Sequence, residues 1–523
     1  MKWTVDQQKA IDARKGTLLV SAAAGSGKTA VLVERVIRRI CDKENPCGVE
    51  NLLIVTFTNA AAAQMKEKIA AAISKKIALN PSDKSLRRQQ LMLPCANICT
   101  IDSFCINLVR ENFHALGISP DFTLIDDGEL DILKSKAVNT VVEELYGKNE
   151  PDFINLCNLI SDNRDDGKLI QAIYTLHKLS QAYPFPEDWL VSLKNDFCNP
   201  VAPEESRWGI IIREYLESYV KNALDSIEHC LGLLAEEPEL QVKYAPAFES
   251  DRITFENLEK ALDKPWDEIV EAFNNVAFEN FKRTSAGYES ELKEICKSVR
   301  TDYRDTLKKK ITGLLSVSAS EHFEDLEHLS PIVAKLIDAV LAFDEELTRL
   351  KLEANQANFS DTLHLALKLL FEKDENGYRK TALANELSAN YAEILVDEYQ
   401  DVNMAQDMIF NALSRDENNL FMVGDVKQSI YKFRQAMPEI FLARRDGLEE
   451  YETEKENYPA RVTLGKNFRS RKGVTEIINF IFAYVMSREA GGLDYDEKER
   501  LEAAADYKPS ESADTEVYLF EAE

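Results

Sequence analysis

The chain predicts an α/β architecture, a parallel sheet with flanking helices interrupted by a large all-α insertion. Three observations predict it. Short apolar runs alternate with helical spacing through the first hundred residues. Strand signals vanish from about 126 to 385, where long helical patterns dominate. The alternation then resumes at 392. In order, Thr17-Leu18-Leu19-Val20 reads as a short buried strand and Ala30 to Ile40 as a helix. Leu52-Leu53-Ile54-Val55 reads as a second strand, followed by an Ala-rich helix from Asn59 to Ile73. Helical patterns cover 137–145, 211–233 and 332–352. Ala392–Val396, Leu420–Val423 and Arg461–Leu464 supply the later strands. A structureless stretch as long as the insert is implausible, so it is expected to fold on its own. The expected division is 1–125 and 386–460 for the two parts of one α/β domain, 126–385 for the insertion, and 461–523 for the start of a further domain.

Size and composition bound the function. With 523 residues, 45% apolar and 29% charged, the chain reads as a globular protein of roughly two to four domains. No run approaches the ~18 apolar residues of a membrane span, and the N-terminus lacks the apolar core of a signal peptide. Together with nine cysteines in no regular spacing, this predicts a cytoplasmic protein with no membrane partner. Cys95, Cys99 and Cys105 lack a C-x-x-C pair, and their neighbours Ile98, Ile101 and Phe104 predict buried core thiols rather than metal ligands. A net charge of −27 argues against nucleic-acid binding by bulk electrostatics but leaves room for a local groove. Lys66, Lys68, Lys75, Lys76, Lys84, Arg87 and Arg88 make one stretch basic, and acids concentrate across 222–300 and 446–456. Both patterns also read as solvated helix faces.

A nucleotide site is legible. Ala22-Ala23-Ala24-Gly25-Ser26-Gly27-Lys28-Thr29 follows a strand and precedes a helix, the context a phosphate loop requires. Gly25 and Gly27 let backbone N–H groups turn towards phosphate oxygens, and the helix N-terminus adds its positive end. Lys28 is expected to reach the β- and γ-phosphates of ATP and Thr29 to ligate Mg²⁺. Ala22 stands where the general motif has Gly. Asp397-Glu398, directly after an apolar run, supplies a metal-binding carboxylate and a base for the attacking water. Beyond the run Leu420–Val423, the stretch Gly424-Asp425-Val426-Lys427-Gln428-Ser429-Ile430-Tyr431-Lys432-Phe433-Arg434 combines an acid, an amide, two aromatics and basic residues. That mix suits a loop which senses a phosphate and stacks bases.

Taken together, these segments resemble the ATPase core of UvrD-type superfamily-one DNA helicases, whose motor domains are RecA-like P-loop NTPase folds. Trp3-Thr4-x-x-Gln7-x-x-Ala10 looks like their Q motif, which implies that Gln7 reads adenine. Thr56-Phe57-Thr58-Asn59-Ala60-Ala61-Ala62 and Thr100-Ile101-Asp102-Ser103-Phe104 resemble the family's first two DNA-contacting motifs, although Asp102 stands where many relatives carry His. Val396-Asp397-Glu398-Tyr399-Gln400-Asp401 is close to the metal-binding string. Asn467-Phe468-Arg469-Ser470 resembles the fourth motif, which implies that Arg469 reaches the γ-phosphate and Phe468 covers the adenine. The Val-Lys-Gln and Lys-Phe-Arg spelling of 424–434 departs from the Asp-rich loop and Trp of simple UvrD-type translocases. It looks like the AddA/RecB family of helicase–nuclease subunits, as do Asn59–Met65 and Phe359–Leu367.

The resemblance implies an ATP-dependent DNA helicase or translocase of double-strand break repair and recombination. Its cofactors would be ATP and Mg²⁺, and its partners single- and double-stranded DNA ends and an AddB-like subunit. Gln428 lies where it can bond the γ-phosphate, and Tyr431, Phe433, Phe57 and Phe104 can stack bases, with Arg434 beside them. Each aromatic also reads as a core residue. The later motor motifs are missing from the sequence. Asp506-Tyr507-Lys508 resembles the Asp-Tyr-Lys of RecB-type nucleases but lacks the upstream acids, so no nuclease is expected. The final strand-like Glu516–Phe520 reads as a chain interrupted. Two other readings stay open, a complete nucleotide-gated DNA- or protein-binding module without motor activity and a single-chain UvrD-like helicase.

Overall fold

The structure, a computed structural model, describes residues 3–45, 47–161, 165–285, 287–487 and 492–507. Lys508 and the expected strand 516–520 lie outside them. The chain forms two compact units, one from Met1–Thr140, Tyr174–Glu187 and Phe343–Glu523, the other from Val141–Ile173 and Asp188–Ala342. The expected limits of the insertion, 126 and 385, do not coincide with those of the second unit.

In the first unit the apolar runs become strands, and several short polar stretches do as well. In chain order these are β1 (Leu18–Ala22), β2 (Leu52–Thr56), β3 (Asn97–Thr100), β4 (Thr123–Leu124), β5 (Gln356–Ala357), β6 (Phe371–Asp374), β7 (Gly377–Lys380), β8 (Glu393–Val396), β9 (Leu420–Gly424), β10 (Glu449–Glu450), β11 (Ala460–Leu464), β12 (Lys466–Asn467) and β13 (Glu502–Ala503). Seven of them make one parallel sheet in the order β10-β11-β1-β9-β8-β2-β3. Its inner strands are apolar on both faces, as a helix-covered parallel sheet requires. Leu19, Leu53, Val55, Ile394, Val396 and Met422 point into one core with the helices Ile101–Glu111, Phe359–Leu370 and Met404–Leu413. Leu18, Val20, Leu52, Ile54, Leu395, Phe421 and Val423 point into the other, with Val5–Asp12, Lys28–Ile40 and Asn59–Leu79. The two sets alternate along each strand, the period of two expected of β structure.

Arg35 ties this sheet to its helices. Its side chain is 1% exposed. It donates to Glu393 at the start of β8 and to the Ala10 carbonyl at 2.7 Å, and it lies 4.2 Å from the Phe421 ring centroid on β9.

The structure departs from the sequence expectations in four places. Arg461–Leu464, expected to open a further domain, belongs to the central sheet, because Ala460, Val462 and Leu464 bury one face beside β1. Strands do occur between 126 and 385: β5 pairs β4, and β6–β7 form a hairpin through Glu375-Asn376. Their polar composition hid them. Strand β3 was missed because it is short and only its last residue is buried. Cys95 is exposed and Cys99 half-buried, so only Cys105 of the three is a core thiol. Among the described residues no group of three or more His, Cys, Asp or Glu side chains is arranged to hold a metal ion by itself, and no helix is long and apolar enough to cross a membrane.

The second unit carries no strand among its described residues. Its core joins Leu216, Val220 and Ile227 of Arg207–Leu234 to Phe248 and Phe255 of Pro238–Ala261, with Ile269 and Phe273 of Trp266–Asn274. A buried pair crosses it, Arg300 donating to both Asp251 oxygens at 2.7 and 2.8 Å.

Candidate nucleotide and nucleic-acid site

Parallel strands in register deliver the loops at their carboxyl ends to one edge of the sheet. Ser21 sits opposite Gly424, Val396 opposite Met422, and Val55 opposite Val396. The phosphate-loop segment after β1, the acids after β8, the loop after β9 and Phe57 after β2 therefore meet at the carboxyl edge, where open α/β sheets hold ligands. Gly25 and Gly27 have φ of 72° and 87°, a region that disfavours any side chain. A Cβ on Gly25 would come within 2.8 Å of Asn467 Nδ2. Lys28 starts the helix Lys28–Ile40 with Thr29 next to it. Its ammonium bonds Glu398 Oε2 at 3.1 Å, joining residues 370 positions apart in the chain.

Glu398 adopts φ 53°, a left-handed conformation that costs a non-glycine residue about 1–2 kcal/mol. Beside it, burial first and then the Glu398 charge push the Asp397 carboxyl up to about 6. Asp401 is also pushed up to about 6, for the same two reasons. Carboxyls crowded in this way are matched to a cation. Ser26 Oγ, buried within the loop, has no hydrogen-bond partner in the structure. A left-handed glycine cradle, an orphaned hydroxyl and crowded carboxylates fit a nucleoside triphosphate with its divalent metal ion.

Two residues without an assigned role complete this edge. Gln400, 1% exposed, donates to Glu398 Oε2 at 2.8 Å and accepts from the Asp425 amide at 2.9 Å. Asn467 donates to the Ala24 carbonyl at 2.8 Å, while the Phe468 amide donates to the Gly25 carbonyl. Gln400 was in view within the acidic string, but its contacts depend on β8 and β9 lying side by side.

The other expected residues divide. Gln7 caps its own helix by accepting from the Thr4 amide, and donates to the Ser26 carbonyl at 2.9 Å, so it touches the Ala22–Thr29 segment directly. Gln428 donates to Asp425 Oδ2 at 2.7 Å. Phe468 and Arg469 are exposed beside the glycine cradle. The Phe57 and Tyr431 rings meet with centroids 4.5 Å apart, Phe433 lies 5.7 Å from Tyr431, and Arg434 sits over all three rings. Phe433 is 67% exposed. Thr58 and Asn59 are exposed at the start of Asn59–Leu79, with Thr58 as its cap.

Three residues stand elsewhere than expected. Phe104 is a core residue, packed on the inner face of Ile101–Glu111 and closed to bases. Thr56 and Thr100 are buried; Thr56 bonds the Thr58 carbonyl and Thr100 caps the next helix, so their hydroxyls shape the backbone. A cavity of about 190 Å³ separates the aromatic cluster from the acids, with Asp102, Asp401, Glu398 and Arg434 on its walls. Burial raises the Asp102 carboxyl pKa, partly offset by Arg434.

This is a mixed α/β fold with ligand-facing loops gathered at the carboxyl edge of a large parallel sheet. The chain belongs to the UvrD/REP helicase family, matching its N-terminal domain over residues 3–448. Its relatives include the A-subunit of the ATP-dependent helicase/nuclease of Ruminiclostridium cellulolyticum, 38% identical over 99% of this chain and 42% of that protein. The proteins of the same name in Acetivibrio thermocellus and Clostridium novyi are 36% and 38% identical over 99% and 98% of this chain. The chain spans about two-fifths of the length of these curated relatives.

Proposed function

We propose that this chain is the N-terminal part of the motor of an AddA-like helicase–nuclease, binding ATP–Mg²⁺ and single-stranded DNA and coupling hydrolysis to movement along the strand. One observation carries the reading. The 424–434 loop has Gln428 on Asp425, whose amide reaches Glu398 through Gln400, at one end and the Phe57–Tyr431–Phe433 cluster at the other. In this reading the first unit up to β11 is a RecA-like domain 1A, the helical unit its insertion, and the first unit's residues after β11 the start of the second motor domain. The full protein works in the cytoplasm with an AddB-like partner on DNA ends, and its nuclease lies outside this chain.

ATP–Mg²⁺, when bound, supplies the phosphoryl group and neutralises its charge. Lys28 leaves Glu398 for the phosphates, and Glu398, freed, orients and deprotonates water. Thr29 and Asp397 would hold the metal, Gln7 and Phe468 would bind the base, and Arg469 would reach the γ-phosphate. Gln428 exchanges Asp425 for the γ-phosphate and shifts the rings that stack the bases. Stacking tolerates any sequence at ~1–3 kcal/mol per base, which suits a motor on all DNA.

DNA-stimulated ATP hydrolysis tests this. Oligo(dT) should raise the rate, and Lys28→Ala should abolish it. Gln428→Ala should bind ATP yet lose the stimulation, and unchanged stimulation in that variant removes its coupling role. A rate indifferent to both DNA and Lys28→Ala overturns the motor reading. Tyr431→Ala should weaken oligo(dT) binding by about 1–3 kcal/mol in a fluorescence titration, with ATP affinity unchanged.

A further inference from the structure

The residue that sets the 424–434 loop apart from the Asp-rich form is Lys427, to which the nucleotide and nucleic-acid site gives no role. Its side chain is only 10% exposed and stands between two acids, Asp425 Oδ1 at 3.1 Å and Glu499 Oε2 at 2.6 Å. Burial pulls its ammonium pKa down, but the carboxylates, Asp425 foremost, hold it above the usual lysine range. Glu499 comes from the segment after the helix Lys472–Val485, and its other oxygen binds Arg445 at 2.8 Å. That segment is anchored further. Asn479 donates to the Leu501 carbonyl, and β13 pairs β12 through Lys466–Glu502 and Asn467–Ala503.

These contacts close a circuit around the nucleotide-facing edge. It runs from Lys28 to Glu398, through Gln400 to the Asp425 amide, and from Asp425 to Lys427 and Glu499. It returns through β13 and β12 to Asn467 and the Ala24 carbonyl of the glycine cradle. Gln428 adjoins Lys427 and shares Asp425 with it. Most links of the circuit are backbone pairings or hydrogen bonds. Among the described residues, only Lys427–Glu499 joins the 424–434 loop to the 492–507 segment through a pair of opposite charges.

We infer that Lys427 is a positioning residue: its ion pair with Glu499 couples nucleotide occupancy at the glycine cradle to the base-stacking loop. A ligand entering the cradle displaces Lys28 and Asn467, and the strain passes through β12–β13 to Glu499. From Glu499 it reaches Lys427, and so the backbone that carries Gln428 and Tyr431. The inference rests on the proposed nucleotide and DNA binding of this chain.

The test is the mutual effect of two ligands on the full chain. The dissociation constant of a non-hydrolysable β,γ-imido ATP analogue with Mg²⁺ is measured with and without saturating oligo(dT). In the wild type each ligand should change the affinity for the other by about fivefold or more. Lys427→Met and Glu499→Gln should bring that factor to within about twofold of unity. Each ligand's affinity measured alone should persist, and Lys427→Arg should keep the coupling. Should Lys427→Met fail to fold, Glu499→Gln decides, since it leaves Lys427 paired with Asp425. Retained coupling in the variants, or affinities lost for both ligands with the coupling factor intact, overturns the inference. So does a wild type that binds both ligands independently. A wild type that binds neither overturns the proposed function itself, and the inference with it.

Discussion

Replacing Asp397 by Asn should lower ATP hydrolysis by about 10³-fold and at the same time stabilise the nucleotide-free protein at pH 7.5. The first effect follows from the role proposed for Asp397: losing a metal carboxylate forfeits several kcal/mol of transition-state charge stabilisation. The second follows from the carboxyl's environment. Burial first, and Glu398 next, push its pKa up to about 6, against 3.8 without the fold. Below pH 3.8 the carboxyl is protonated in folded and unfolded chains alike and costs nothing. As pH rises through 3.8 to about 6 the unfolded chain ionises more readily, so stability is lost, and above 6 the loss is complete. A rise from 3.8 to about 6 corresponds to about 3 kcal/mol, reduced to about 1–2 kcal/mol by the water that reaches this partly exposed carboxyl. Asn removes that cost while its side-chain oxygen can still accept from the Glu398 amide. The melting temperature of Asp397→Asn should therefore exceed that of the wild type at pH 8, with a difference that holds down to about pH 6 and shrinks below it. Mg²⁺–ATP should raise the wild-type melting point and leave the variant's unmoved. Parallel pH curves for the two proteins would contradict this account of the site.

The largest expected loss of stability lies at Arg35. Arg35→Ala leaves Glu393, 6% exposed, without its cation, and breaking such a buried pair costs about 3–5 kcal/mol. The effect should spread, because the one guanidinium holds the start of β8, the end of the Val5–Asp12 helix and the Phe421 ring of β9. Hydrogen exchange of the amides in β1, β8 and β9 should accelerate together. The double variant Arg35→Met with Glu393→Leu should recover most of the loss, since an apolar pair of similar volume has no charge to desolvate. Protection in those strands within about 1 kcal/mol of wild type for Arg35→Ala would refute this role.

Much of the first unit was legible because its signals are local. Leu18–Ala22, Leu52–Thr56 and Leu420–Gly424 are runs whose every residue, or all but one, is buried, which only a sheet covered on both faces accommodates. The glycine spacing at 25 and 27 and the acids after Val396 announce their chemistry without any partner. The aromatics were not legible in the same way. Phe57 and Phe104 both come soon after a strand, yet one faces Tyr431 and the other the core. Phe104 sits on a helix, where a shift of one residue turns a side chain by about 100°. The hairpin 371–380 was hidden by its charges, and β11 was misassigned because nothing in Arg461–Leu464 says which sheet will take it.

By itself, then, the sequence determined that an α/β sheet would present a glycine-rich loop, a paired acid and an amide–aromatic loop, since apolar runs and glycines act over a few residues. Tertiary structure alone decided which of them meet. Lys28 finds Glu398, Phe57 finds Tyr431, Gln400 bridges Glu398 to Asp425, and Lys427 finds Glu499. Each contact depends on strand order and register, set by burial of the whole sheet between two apolar layers, and no window of a few residues contains that information.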